Sequence, residues 1–295
     1  MANPKTNTSA AKIEVTSSVI PAALLPPSRP LVHIVLQGKG GAGKTAVSCL
    51  LSQYLSYKAD YAEEEAHAPR PLVLDTDPIN QSLTAYHGQD FDVQHISLTD
   101  EDNITINSRR FDEMMEVIFQ QSKPHAVVID TGSSNFLQLV NYVKRCSIPS
   151  VLSDAGYTLV LHVVIAGGSM LIETLQSLDT ICDNLSAFKP LNIVVWTNPV
   201  NGNAVADANW SRVQDSNTYK DHADDIRAVI NLPLLDKDLQ REDFKELLKN
   251  HHTFQSAIDK QSKLAISYNT LSRLRLKGIR EVIWEQIDQA FEALP

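Results

Sequence analysis

Residues 38–45 read Gly-Lys-Gly-Gly-Ala-Gly-Lys-Thr and fit G-x-x-x-x-G-K-[ST] at every fixed position. In that pattern the glycines let backbone N–H groups turn inward and cradle phosphate oxygens without a Cβ in the way. Gly38, Gly40, Gly41, Ala42, Gly43, Lys44, Thr45 and Ala46 are therefore the expected phosphate-binding run. Lys44 is expected on the β- and γ-phosphates of a nucleotide, and the Thr45 hydroxyl on Mg²⁺. The expected ligand is MgATP. A second basic residue, Lys39, stands inside the run, where Lys44 already serves the phosphates. It is either a solvated loop charge or a cation offered in trans to the nucleotide of a second copy, as an arginine finger is.

Three carboxylates follow apolar runs. Asp75 and Asp77 close Leu72-Val73-Leu74, and Asp130 closes Val127-Val128-Ile129. Ligands of open α/β sheets bind at the carboxyl ends of strands, so all three are expected near the phosphates. Asp130 has the form of a Walker-B carboxylate holding Mg²⁺ directly or through water, with Asp75 as a further metal ligand. Asp77 is expected to position or activate the attacking water, and Gly132 to donate its N–H to the γ-phosphate. Taken singly, each Asp is equally readable as a strand-end turn or a helix cap; three beside one phosphate loop are read as a site.

Base recognition has weaker signals. Asn198 ends an apolar run and precedes Pro199, so it is either an amide reading the base edge or a turn residue. No T-K-x-D or N-K-x-D guanine reader stands there, which favours adenine. Pro233, within Leu232-Pro233-Leu234, is expected to supply backbone contact to the base.

These residues need elements to hold them. Leu31–Leu36 has strand length and composition, and residues 44–57 carry apolar side chains at helical spacing, so the loop joins a strand to a helix. Further strands are expected at 71–74, 93–98, 126–129, 158–165 and 191–196, and helices at 109–121, 135–145 and from Gly167-Gly168 to 185. Residues 232–295 read as mainly helical. Strands that are apolar throughout and alternate with helices point to an α/β fold, a doubly wound, mostly parallel sheet with helices on both faces. The expected organisation is a flexible tail over residues 1–30 and one domain over 31–295.

Bulk properties narrow the partners. A formal net charge of −9 opposes a surface that is basic overall. No run approaches the ~18 apolar residues of a membrane span, and residues 1–30 lack the charged start and apolar core of a signal peptide. A cytoplasmic protein is expected. Cys49, Cys146 and Cys182 are far apart, with no C-x-x-C pair, and are read as small buried hydrophobes. Arg273, Arg275, Lys277 and Arg280 form a late basic cluster, but Glu281, Glu285, Asp288 and Glu292 follow it. A solvated helix face is favoured over nonspecific DNA binding, and packing against its own domain or a subunit partner over a membrane anchor.

The loop, the LDTDP strand end and the DTG strand end together resemble the deviant-Walker ATPases of the MinD/ParA group among P-loop NTPases. The ordered runs VLQGKGGAGKT, LDTDP, INSRRFD, VVIDTGSSNF, LVLHVVIAGG, VVWTNP and REDF are similar to the TraL proteins of plasmid conjugal transfer. That resemblance spans Leu31 to the last helix. It implies a slow, partner-stimulated ATPase that pairs with itself in an ATP-dependent homodimer, with Lys39 reaching across, and that serves conjugation and type IV secretion proteins. A ParA-like plasmid partition ATPase and a small-molecule kinase or ligase on the same scaffold remain the alternatives.

Overall fold

Strands that are apolar at every position can sit only where both faces of a sheet are covered. In the computed structural model β1 (Leu31–Leu36) and β4 (Ala126–Asp130) are buried at all positions. The structure describes residues 29–60, 69–100, 107–120, 126–199, 202 and 211–295. Nearly all of the expected tail, the acidic stretch Glu63-Glu64-Glu65 and Ile106 of INSRRFD lie outside the described residues.

Five more strands complete the sheet: β2 (Leu72–Asp75), β3 (Val93–His95), β5 (Thr158–Ala166), β6 (Ile193–Asn198) and β7 (Ile226–Asn231). Their order is β3-β2-β4-β1-β5-β6-β7, and every pairing is parallel. From β1 the chain crosses to β2, adds β3 at the edge and returns to place β4 between β2 and β1. It then crosses to β5 and winds outward through β6 and β7 on the other side. The reversal falls at β1, whose carboxyl end carries the glycine-rich loop. A reversal of this kind opens a crevice at the strand ends.

The helices are α1 (Lys44–Asp60), α2 (Ser108–Gln120), α3 (Phe136–Arg145), α4 (Ile148–Asp154), α5 (Leu171–Asn184), α6 (Asn217–Asp221), α7 (Gln240–Lys249), α8 (Phe254–Ile258) and α9 (Thr270–Glu292). Alternate side chains of β1 enter two separate cores. Val32, Ile34 and Leu36 join Phe111, Leu139 and Leu178 from α2, α3 and α5. Leu31 and Val35 join Leu50, Phe254 and Ile283 from α1, α8 and α9. The sheet is thus doubly wound, as the sequence predicts.

Three elements differ from expectation. β3 stops at His95 because its neighbour β2 ends at Asp75; Ile96 donates its N–H to the Asp75 carbonyl at 2.9 Å, and beyond that there is no strand to pair with. α4 has no counterpart among the expected elements, and it carries Pro149 near its start. The proline lies in the first turn, where its missing N–H would have no helical partner in any case. β7 is an edge strand with a half-covered pattern, which weakens its apolar signal.

α9 packs on β7, α7 and α8. Leu276, Ile279, Ile283 and Ile287 are buried, whereas Leu271, Leu274 and Val282 are exposed. Its basic residues are largely engaged: Arg275 pairs with Asp243 of α7, Lys277 with Glu281, and Arg280 lies over the Trp284 ring. Among the described residues, no helix is long and apolar enough to cross a membrane.

Candidate nucleotide site

Parallel register sets the site. Asp130 lies opposite Val35 on one side and Asp75 on the other, so the ends of β1, β4 and β2 are level. From there the loop runs to Lys44, the first residue of α1, and no acidic residue in the first helical turn quenches the positive end of the helix. Gly43 adopts φ +106°, a conformation that L side chains rarely take. The Asn198 amide also fills the space where a Cβ would stand. Any larger residue at 43 would therefore be strained and blocked at once.

Lys44 is buried. Burial lowers the pKa of its ammonium, while Asp130 and then Asp77 act to raise it. Asp130 is wholly buried and accepts two hydroxyl protons, one from Thr45 at 2.8 Å and one from Ser48 at 2.7 Å. Burial pushes its carboxyl up to about 7, against the lowering effect of the Ser48 and Thr45 hydrogen bonds. One ammonium, one carboxylate and two hydroxyls thus meet beneath the loop. A hydroxyl and a carboxylate are hard oxygen donors of the kind Mg²⁺ takes.

Asp75 is engaged by the loop that follows its own strand. It is fully buried, and its carboxylate accepts N–H groups from Asp77 at 3.2 Å and Thr84 at 2.9 Å and the Thr84 hydroxyl at 2.9 Å. Those bonds pin the loop after β2. Asp77 accepts the N–H groups of Ile79 and Asn80 at 2.9 and 3.0 Å, which fixes its side chain. It lies directly against Gly132, where a Cβ would come within 3.1 Å of the carboxylate. The absence of a side chain at 132 is what lets Asp77 approach the end of β4. Thr76 donates its hydroxyl to the Asp130 carbonyl at 2.7 Å, and Thr131 its hydroxyl to the Val35 carbonyl at 2.7 Å, so three strand ends are stitched together.

Asn198 also reaches the loop. Its Nδ2 donates to the Ala42 carbonyl at 2.9 Å, so it braces the cradle; a base-reading role has to share the amide with that bond. Pro233 follows β7, beside the Leu232 N–H that donates to Thr197 at 3.0 Å, and so stays at the carboxyl edge of the sheet. Gly38, Gly40, Gly41 and Ala42 occupy the loop, and Ala46 lies on the first turn of α1. Lys39 is held within its own chain: its Nζ is 2.5 Å from the Glu173 carboxylate at the start of α5. The Lys39 N–H donates to Gln37, a buried residue whose amide is itself anchored on the Val164 carbonyl.

Ser48, Gln37 and Glu173 are not among the sequence-derived candidates. Ser48 had a signal, since it stands three residues after Thr45 and so shares its helix face. Gln37 and Glu173 had none, because their partners become neighbours only through the fold.

No family model matches the chain. Among solved structures, it resembles the MinC:MinD cell division protein complex of Aquifex aeolicus, with 12% identity, coverage of 85% of this chain and 94% of that one, and a TM-score of 0.45. A plasmid partition protein from Borrelia burgdorferi gives 16% identity, 75% and 97% coverage, and a TM-score of 0.38. Two curated Escherichia coli proteins, each called Protein TraL, are 31% identical to it over 259 residues, spanning 88% of this chain and 98% of each relative. On identity carried across nearly the whole of those relatives, the chain belongs to the TraL family.

Proposed function

We propose that the chain is an ATPase that binds MgATP at residues 38–45 and acts as a nucleotide-dependent dimer switch in plasmid conjugal transfer and type IV secretion. The observation that carries the reading is the buried Lys44 ammonium beside Asp130, whose carboxylate is held by Thr45 and Ser48. Structural carboxylates of a strand end need no such ammonium, whereas a phosphate site does. Lys44 and the loop N–H groups bind the phosphates. Mg²⁺, when bound, neutralises phosphate charge, and Thr45 and Asp130 would hold it while Asp75 braces the adjoining loop. Asp77, fixed against Gly132, orients the attacking water. Membership of the TraL family supports the link to conjugation, and an ATP-dependent activity supports a cytoplasmic setting.

The pairing of two copies rests on Lys39. In the isolated chain it is tied to Glu173, and Lys44 already serves the phosphates, so Lys39 has a task only if a partner presents a second nucleotide. A resting ion pair supports slow basal hydrolysis that rises when a partner or a second copy draws Lys39 away. Exposed apolar side chains on the same edge, Ile79, Leu137 and Ile172, support a face that another copy covers.

Binding of a fluorescent ATP analogue with Mg²⁺ tests the first step: wild type is expected to bind and Lys44→Ala to lose binding. Lys39→Ala is expected to bind normally but hydrolyse more slowly. Equal hydrolysis by wild type and Lys39→Ala would reduce Lys39 to a loop charge, and phosphoryl transfer to an acceptor other than water would replace the switch with a kinase or ligase.

A further inference from the structure

At the amino ends of β6 and β7, the edge of the sheet away from the loop, three ligating side chains converge from separate segments. Cys182 lies in the last turn of α5, His222 just after α6 and Asp225 just before β7. The cysteine sulfur, a ring nitrogen of His222 and a carboxylate oxygen of Asp225 all lie within 4.8 Å of one another. Cys182 is fully buried, Asp225 is 1% exposed and His222 9%.

Their hydrogen bonding is incomplete in an informative way. His222 Nε2 lies 3.2 Å from an Asp179 oxygen. A carboxylate there keeps the proton on Nε2 and leaves the lone pair on Nδ1. That Nδ1 is buried with no hydrogen-bond partner among the described residues. Buried ring nitrogens are rarely left so, because the lost hydration goes unreplaced. Asp225 is oriented by the Leu191 N–H, which donates to Oδ1 at 2.9 Å, and its Oδ2 faces the Lys189 ammonium at 2.9 Å. The Lys189 side chain is 39% exposed, so the ammonium can withdraw to water.

We propose that Cys182, His222 Nδ1 and Asp225 Oδ2 form a binding site for a zinc-class divalent ion. The sulfur, nitrogen and oxygen set suits a borderline ion in tetrahedral coordination, with water in the fourth position. Binding forms three bonds from the protein, the Cys182 thiol releases its proton to solvent, and no group changes oxidation state. One thiolate and one carboxylate balance the ion's two charges, taking over the place of Lys189. Asp179 is the positioning residue behind the imidazole. The ion would fasten α5 and the segment after α6 to the start of the edge strand β7. None of this depends on the nucleotide site.

The test is a Co²⁺ titration of the full, metal-stripped protein, read by the thiolate-to-cobalt charge-transfer band. One equivalent is expected, with the band lost in Cys182→Ser, kept in the Cys49→Ser/Cys146→Ser double variant and weakened in His222→Gln. Asp179→Asn, at a half-exposed position where folding is not at risk, is expected to weaken binding about 10- to 100-fold. A wild type with no band, a band that survives Cys182→Ser, or affinity unchanged in both His222→Gln and Asp179→Asn overturns the site.

Discussion

Two hydroxyls and one carboxylate set the character of the nucleotide site. Ser48 is buried and donates to Asp130, so its removal leaves a buried carboxylate one donor short. Ser48→Ala is expected to lose about 1–3 kcal/mol of stability, measured by urea unfolding. Lys39 and Glu173 pose the opposite case, because both are well exposed. Exposed ion pairs contribute about 0.2–1 kcal/mol. Glu173→Gln is therefore expected to leave stability nearly unchanged while raising phosphate release in MgATP by up to about fivefold, the factor that 1 kcal/mol provides. An unchanged rate would mean that the pair does not restrain Lys39.

Elements are tied by a buried polar chain of defined proton placement. On β6 the Trp196 Nε1–H donates to His162 Nδ1 on β5 at 2.9 Å, which leaves the His162 proton on Nε2. That nitrogen is 2.9 Å from His33 Nδ1 on β1, and the His33 ring stacks on Phe291 of α9. Burial holds His162 down at about 3, well below its ordinary value. Its folded form stays neutral while the unfolded chain takes up a proton near pH 6.5. The associated stability is complete above pH 6.5 and is lost as pH falls from there toward 3, at up to about 1.4 kcal/mol per unit. Urea midpoints at pH 7 and pH 5 check this: wild type should fall, and His162→Gln should fall less. The same chain adds the Phe291 stack to the apolar contacts that hold α9 against the sheet.

At the scale of the molecule, the proposed switch makes oligomeric state a function of nucleotide. Asp77→Ala, with the loop intact and hydrolysis blocked, is expected to sediment as a dimer in MgATP and as a monomer without it. Only monomer in both conditions sinks the switch. The net charge of −9 opposes a surface that is basic overall, and on α9 Arg275 pairs with Asp243 while Arg280 lies over the Trp284 ring. Salt-sensitive DNA retention that appears only with MgATP would reopen plasmid partition.

Local patterns were enough for the doubly wound sheet and for the loop, because both are written in runs of adjacent residues. Leu31–Leu36 can be buried on both sides only in such a sheet, and G-x-x-x-x-G-K-T has one common use between a strand and a helix. The positions of Asp75 and Asp130 were legible for the same reason, since each directly follows an apolar run and closes its strand. What the tertiary structure alone decided are pairings across long separations. Asp75 turned inward to Thr84, Asn198 turned to Ala42, and Lys39 found Glu173 134 positions on. Edge strand β7 and proline-led α4 escaped because cover by neighbours, not their own composition, makes them regular. Cys182, His222 and Asp225 carry no ligand spacing at all. Parallel strands that start at one edge of the sheet bring them together, and the reading of Cys182 as simply a buried hydrophobe now stands beside a second one.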